Sequence, residues 1–183
     1  MKRRHSLLDA PGSMNFITTA VINFIYLFII EALANIMLEN IKYYALKYEL
    51  RTHGFVIMPN HLRLLLSAPD QAVMSKFMGK CKEYSAKEII SWCMRNKRQD
   101  MLAEFAAAAV KSKQGHRYQV WQHGFDNVAV TRQKDMLIKL NYIHNNPLQE
   151  QWRICQSAED YPFSSAGYYI AGKDTGIPIV KIA

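Results

Sequence analysis

Apolar positions along the 183 residues fall into two periods, and the switches between them mark the elements. Phe16 to Ile25 is β-branched and aromatic, which predicts a buried strand near 15–23. From Ile29 the apolar residues recur at Leu33, Ile36, Met37, Ile41 and Tyr44, the spacing of a helix over about 29–48. Gly54 punctuates the next link. Phe55 to Met58 and His61 to Leu66 predict two short strands joined by a Pro59-Asn60 turn. A long helix is expected over about 70–96, with Val73, Phe77, Cys81, Tyr84 and Trp92 inward and Lys76, Lys80, Glu83 and Lys87 on another face. Residues 101–110 read as an alanine-rich helix and Tyr118 to Trp121 as a short strand. Thr131 is placed to cap a helix running to about Asn145, because Pro147 disfavours helix at the residue before it. Beyond Trp152 the chain is loop-rich, with an edge strand expected near 177–182.

The order β-α-β-β-α with further helices predicts an α+β, ferredoxin-like (RRM-like) antiparallel sheet with helices on one face and an additional C-terminal helix and tail. One domain over 14–170 is expected, with a basic arm at 1–13 and a tail at 171–183. The other face of such a sheet is expected to be open. That face serves RNA-binding modules and single-strand nucleases alike, so the fold alone does not choose a function.

Composition narrows the partners. Half the residues are apolar and 21% are charged, which excludes a disordered chain. The net charge of +8 favours a polyanion, nucleic acid or an anionic membrane face. Cys81, Cys93 and Cys155 are odd in number and lack a CxxC spacing, which argues against a disulfide framework and for a reducing, cytoplasmic setting. The apolar stretch 16–30 follows a basic Lys2-Arg3-Arg4, as a signal peptide or anchor would. Asp9, Pro11, Gly12 and Ser13 separate the two, and the change of period inside the stretch favours strand then helix over a membrane segment.

Two segments carry candidate chemistry. In a strand His61, Arg63 and Leu65 share one face while Leu62, Leu64 and Leu66 share the other. The leucine face belongs to the core, so His61 and Arg63 project together from the opposite side; the plainer interpretation is a polar strand edge. In Leu140-Asn-Tyr-Ile-His-Asn-Asn-Pro147, helical spacing clusters Met136, Leu137, Leu140, Ile143 and His144 inward. Tyr142 then faces away, with Asn146 one turn on. His144 on the inner side reads as a hydrogen-bonded core histidine rather than a metal ligand. Lys76, Lys80, Lys87 and Arg117 could track phosphates, although a solvated helix face is the ordinary role of such a stripe. Tyr118 and Trp121 could stack bases or simply pack.

Met-Pro-Asn-His-Leu-Arg-Leu-Leu (58–65) and Tyr-Ile-His-Asn-Asn-Pro (142–147) resemble the two signatures of the HUH single-strand tyrosine transposases. Tyr-Gln-Val-Trp-Gln (118–122) and Glu-Asp-Tyr-Pro-Phe-Ser-Ser-Ala (159–166) are similar to the REP-associated tyrosine transposases among them. The resemblance runs in order over about 14–170. It implies a cytoplasmic protein that cuts and rejoins single-stranded, hairpin-forming DNA through a 5′-phosphotyrosine, working as a monomer or a homodimer. It implies Tyr142 as nucleophile and His61 as one of a histidine pair holding Mg²⁺ or Mn²⁺, with Asn146, or alternatively His144, as a further ligand. Such a metal would orient and neutralise the scissile phosphate for attack by a phenol, a weak nucleophile at neutral pH. An RNA-binding module of the RRM kind lacks support, because no RNP-like run of aromatic and glycine residues is present.

One position departs from the resemblance. The family's pair is His-hydrophobic-His, and this chain reads His61-Leu62-Arg63. Arginine stays protonated and has no lone pair for a metal. Three outcomes follow: a weak metal site on His61 and Asn146, an Arg63 that itself neutralises phosphate, or an inactive single-strand DNA-binding descendant. The resemblance leans to an enzyme, a metal-dependent tyrosine transposase; Arg63 separates it from a binding-only protein only in principle, and a Tyr142→Phe variant separates the two. The sequence-based expectation is that fold and DNA binding persist while cleavage is reduced or lost.

Overall fold

A computed structural model of the chain describes residues 14–112 and 115–182. The basic arm, together with Lys113, Gln114 and Ala183, lies outside the described residues. Among the described residues four strands form one sheet: β1 (Met14–Ala20), β2 (Arg51–Met58), β3 (His61–Ser67) and β4 (Asp126–Val130). Their order is β2-β3-β1-β4, and every neighbouring pair is antiparallel. The helices are α1 (Glu31–Lys47), α2 (Gln71–Arg95), α3 (Gln99–Ser112), α4 (Gln133–His144) and α5 (Ala166–Ala171). The α+β, ferredoxin-like expectation holds.

The leucines of β3 set the register. Leu62, Leu64 and Leu66 are fully buried against Met37 and Ile41 of α1 and Phe77 and Cys81 of α2. Each such side chain contributes about 1.5–3 kcal/mol of burial. A one-residue slip would exchange them for His61, Arg63 and Leu65, so the polar pair is held on the far face by the cost of moving the leucines.

That far face is not open, contrary to expectation. Helix α4 lies on it, packing Met136, Leu140 and Ile143 against Phe16, Val56, Met58 and Leu65. Gly54 permits the approach: a Cβ there would sit 2.6 Å from Leu140 Cδ1. Phe55-Val-Ile-Met58 is apolar on both sides because both sides are covered. The free edge of β2 is closed by the C-terminal segment. Ile57 N donates to Phe163 O at 2.8 Å, Ser165 N to Phe55 O at 3.0 Å and Val180 N to Thr52 O at 2.9 Å.

Several expectations are corrected. Residues 118–121 are not a strand; Trp121 makes a single bridge to Val21. The expected edge strand at 177–182 reduces to one bridge, Thr52 with Ile179. Strand β4 was not expected, because Asp126-Asn127 carries residues that strands disfavour, and its pairing with β1 overrides that local preference. Arg132, not Thr131, precedes α4, and it makes no side-chain cap. The inner stripe of α2 is Met74, Phe77, Met78, Cys81, Ser85, Ile89 and Cys93, while Tyr84 is exposed. Ser85 escapes a hydrophobicity pattern because it is buried through a hydrogen bond, accepting from Trp121 Nε1 at 3.1 Å. Leu137, expected inward on α4, is 45% exposed.

Candidate functional site on the far face of the sheet

His61 opens β3 directly after the Pro59-Asn60 turn. Its Nδ1 lies 2.8 Å from Asn60 Oδ1. Asn60 Nδ2 donates to Phe24 O at 3.2 Å, which orients the amide with its oxygen toward the imidazole. The ring proton is therefore assigned to Nδ1, and Nε2 keeps its lone pair. Burial, reinforced by the Arg63 charge, pushes the His61 pKa down to about 4, so the ring is neutral at pH 7.

Asn146 arrives from the other element. Pro147 ends α4, and the chain turns into a short 3₁₀ turn at Asn146–Leu148. The fully buried Asn146 side chain donates through Nδ2 to Gln149 Oε1 at 3.1 Å. Its Oδ1 then faces His61 Nε2 at 3.1 Å. In the assigned tautomer neither of these two atoms carries a hydrogen, so they do not bond to each other. Both accept from Arg63 Nε, at 3.2 Å for His61 and 3.1 Å for Asn146.

Arg63 is thus held by its Nε edge. Its guanidinium carbon stands 4.5 Å from the centroid of the Tyr142 ring, within cation–π range. Burial lowers the Arg63 pKa, with the Tyr142 phenol opposing the shift. Tyr142 sits in the last turn of α4, 37% exposed, with its ring 6.1 Å from that of Phe16.

An aromatic rim borders the site. The Trp152 ring is 5.7 Å from His61 and 5.7 Å from Tyr26. Tyr26 and Phe24 are 55% and 59% exposed. Phe24 lies in, and Tyr26 just after, a turn in which Asn23 and Phe24 take φ of 52° and 53°, an uncommon conformation for non-glycine residues. Sequence reasoning missed Phe24 and Tyr26. Inside a long apolar run they carry the signature of core residues, and only the turn directs them outward.

The structure brings together His61, Arg63, Asn146 and Tyr142. It places His144 elsewhere: Nε2 lies 2.9 Å from Ser165 Oγ, and its ring is 5.2 Å from that of Tyr169. Burial pushes the His144 pKa down from 6.5 to about 4, so the folded state holds it neutral. Its contribution to stability is complete above pH 6.5 and is lost as pH falls toward 4. His61 and His53 are shifted in the same direction by burial and add to the slope. The melting temperature of the wild type should therefore fall between pH 7 and pH 4.5 more steeply than that of His144→Gln, in proportion to the proton taken up on unfolding. Parallel melting profiles would show that His144 is not held neutral.

Lys76, Lys80 and Lys87 lie on the outer face of α2, on the opposite side of the sheet from Tyr142. Lys80 and Lys87 both pair with Glu83, at 2.9 Å and 2.6 Å. Arg117 is exposed, its guanidinium 5.2 Å from the Tyr118 ring centroid. None of these four cations reaches the Tyr142 cluster.

The donor set does not suit the Mg²⁺ or Mn²⁺ implied by the family resemblance. His61 Nε2 and Asn146 Oδ1 are neutral donors, and both are already turned onto a permanent cation. A doubly charged ion about 4 Å from that guanidinium meets a repulsion of roughly 8 kcal/mol at an effective dielectric of about 20. Among the described residues no group of three or more His, Cys, Asp or Glu is placed to compensate.

The family model described as "Transposase IS200 like" matches residues 25–146, about two thirds of the chain and the whole span from His61 to Asn146. The chain belongs to the IS200-like transposase family. A solved REP-associated tyrosine transposase bound to a REP hairpin is similar in fold to this transposase, with a TM-score of 0.64 and 16% identity. The similarity covers 100% of this chain and 93% of that one. A second solved chain, from Deinococcus radiodurans and assigned as a transposase, has a TM-score of 0.44 and 18% identity, covering 79% of this chain and 95% of that one. A search of the curated proteins finds no match. Among the described residues no helix of this transposase is long and apolar enough to cross a membrane.

Proposed function

We propose that this chain binds single-stranded, hairpin-forming DNA and cuts and rejoins it through Tyr142. The observation that carries this is the placement of a solvent-reachable phenol against a guanidinium at 4.5 Å, on the far face of the sheet. The Tyr142 oxygen attacks phosphorus and gives up its proton to solvent. The bond from phosphorus to the 3′ oxygen breaks, and that oxygen leaves as a 3′-hydroxyl after taking a proton. The 5′ side remains as a phosphotyrosine, which conserves the phosphodiester energy for rejoining. The solved relative bound to a REP hairpin supports a hairpin as the partner.

An inactive binding protein is the second reading, and Arg63 at the position of the family's second histidine favours it. A covalent-adduct assay with a labelled hairpin oligonucleotide decides between the two. A denaturing-gel band present in the wild type and absent in Tyr142→Phe establishes cleavage; hairpin binding with no band leaves the binder.

Unpaired bases beside the hairpin would stack on the rim formed by Tyr26 and Trp152. Tyr26→Ala should weaken binding of a hairpin with a single-stranded flank by roughly 10- to 100-fold, the worth of one stacked base. Tyr43→Ala, which removes an exposed tyrosine of α1, serves as the control. Fluorescence anisotropy reads both, and equal losses in the two variants would remove the rim from the binding surface.

A further inference from the structure

We infer that Arg63 is itself the cation of this site: its Nε edge is held by His61 Nε2 and Asn146 Oδ1, and its guanidinium receives the scissile phosphodiester without a divalent metal. The phosphate's part in this rests on the function proposed above; the placement of the cation does not.

The geometry assigns both sides of the guanidinium. Its Nε hydrogen is shared by two acceptors that arrive from different elements, β3 and the turn after α4. Each acceptor is aimed by a further amide contact, Asn60 behind His61 and Gln149 behind Asn146. Four groups are thus organised around one nitrogen. A strand-edge arginine on a solvated surface has no need of two oriented, buried acceptors. Nε is taken up by the two acceptors, and the guanidinium carbon lies 4.5 Å from the Tyr142 ring centroid; in this proposal the phosphate accepts two parallel hydrogen bonds from the Nη pair. His61 and Asn146 are positioning residues here, since they act on the phosphate only through Arg63.

The anchor also explains the residue type. Lysine offers a point charge that cannot bond two acceptors through one edge, stack on a tyrosine and still present a fork. A histidine at position 63 would do the reverse, adding a lone pair and leaving His61 Nε2 and Asn146 Oδ1 without a common donor. The single residue therefore switches the site from metal to guanidinium.

The test uses the full chain. Mn²⁺ is titrated while the imidazole signals of His61 are followed by NMR, for the wild type and for Arg63→His. Hairpin binding and adduct formation are measured in parallel with EDTA or with Mg²⁺. The wild-type His61 signals should stay sharp, and binding and adduct should be equal in the two buffers. Arg63→His should gain Mn²⁺ affinity by roughly 10- to 100-fold, with broadening at His61, as altered ligand surroundings do. Broadening of His61 in the wild type, or an adduct that requires Mg²⁺, overturns the inference while leaving the proposed function standing. If no adduct forms in either buffer, the cleavage proposal fails and Arg63→Gln decides the remainder. Hairpin binding that is insensitive to EDTA and weakened in Arg63→Gln supports the guanidinium site, and binding unchanged in Arg63→Gln overturns it. Should Arg63→His not fold, the wild-type titration alone still decides the matter.

Discussion

Under the proposed function, replacing Tyr142 with phenylalanine is expected to abolish the covalent protein–DNA adduct, by at least about 10³-fold, as removal of a nucleophile does in other covalent catalysts. Hairpin affinity and melting temperature stay near the wild-type values. Phenylalanine keeps the ring that packs 6.1 Å from Phe16 and the face that lies under the Arg63 guanidinium. Only the hydroxyl, the proposed nucleophile, is lost. Neighbouring phenols are poor substitutes. Tyr161 donates to Ile57 O at 2.7 Å and Tyr169 to His53 O at 2.9 Å, so both hydroxyls are committed to the backbone. Burial also pushes the Tyr161 pKa up to about 12, which leaves its phenolate scarce. Quantifying the adduct over time on a denaturing gel checks this. A Tyr142→Phe adduct of wild-type yield would remove Tyr142 from the chemistry.

Arg63→Gln gives the second largest effect. The rate of adduct formation at saturating DNA is expected to fall by about 10²- to 10³-fold, the usual cost of deleting one preorganised donor to a developing negative charge. Ground-state binding falls less, because phosphates elsewhere on the hairpin keep their own contacts. Arg63→Lys is expected to recover little, since the ammonium has no planar fork to give a phosphate two parallel hydrogen bonds while another edge stays anchored. Single-turnover kinetics separate the two quantities. A loss confined to binding, with the rate at saturation unchanged, would mean that Arg63 holds DNA without acting on the reacting phosphate.

Much of the architecture was legible because burial is periodic. The helices from α1 to α4 and the hairpin of β2 and β3 follow from spacing, since a face that leaves water must repeat with the backbone. The face of β3 that carries His61 and Arg63 could be read from three leucines alone. Strand β4 could not be read, because Asp126 and Asn127 are disfavoured in strands and pair only when β1 is beside them. Phe24 and Tyr26 could not be read as a surface rim, because hydrophobicity does not distinguish a ring facing the core from one turned outward by a left-handed backbone.

By itself the sequence determined the fold class, the leucine register that sends His61 and Arg63 to one face, and the substitution that departs from the histidine pair. Each is local, decided by side-chain alternation or residue identity. Only the tertiary structure decided that α4 covers that face, that Pro147 turns Asn146 back to His61 while His144 goes to Ser165, and that Arg63 Nε is the donor joining His61 to Asn146. His61 and Asn146 lie 85 residues apart. No periodicity extends over such a separation; the packing of α4 across Gly54 brings the two residues together.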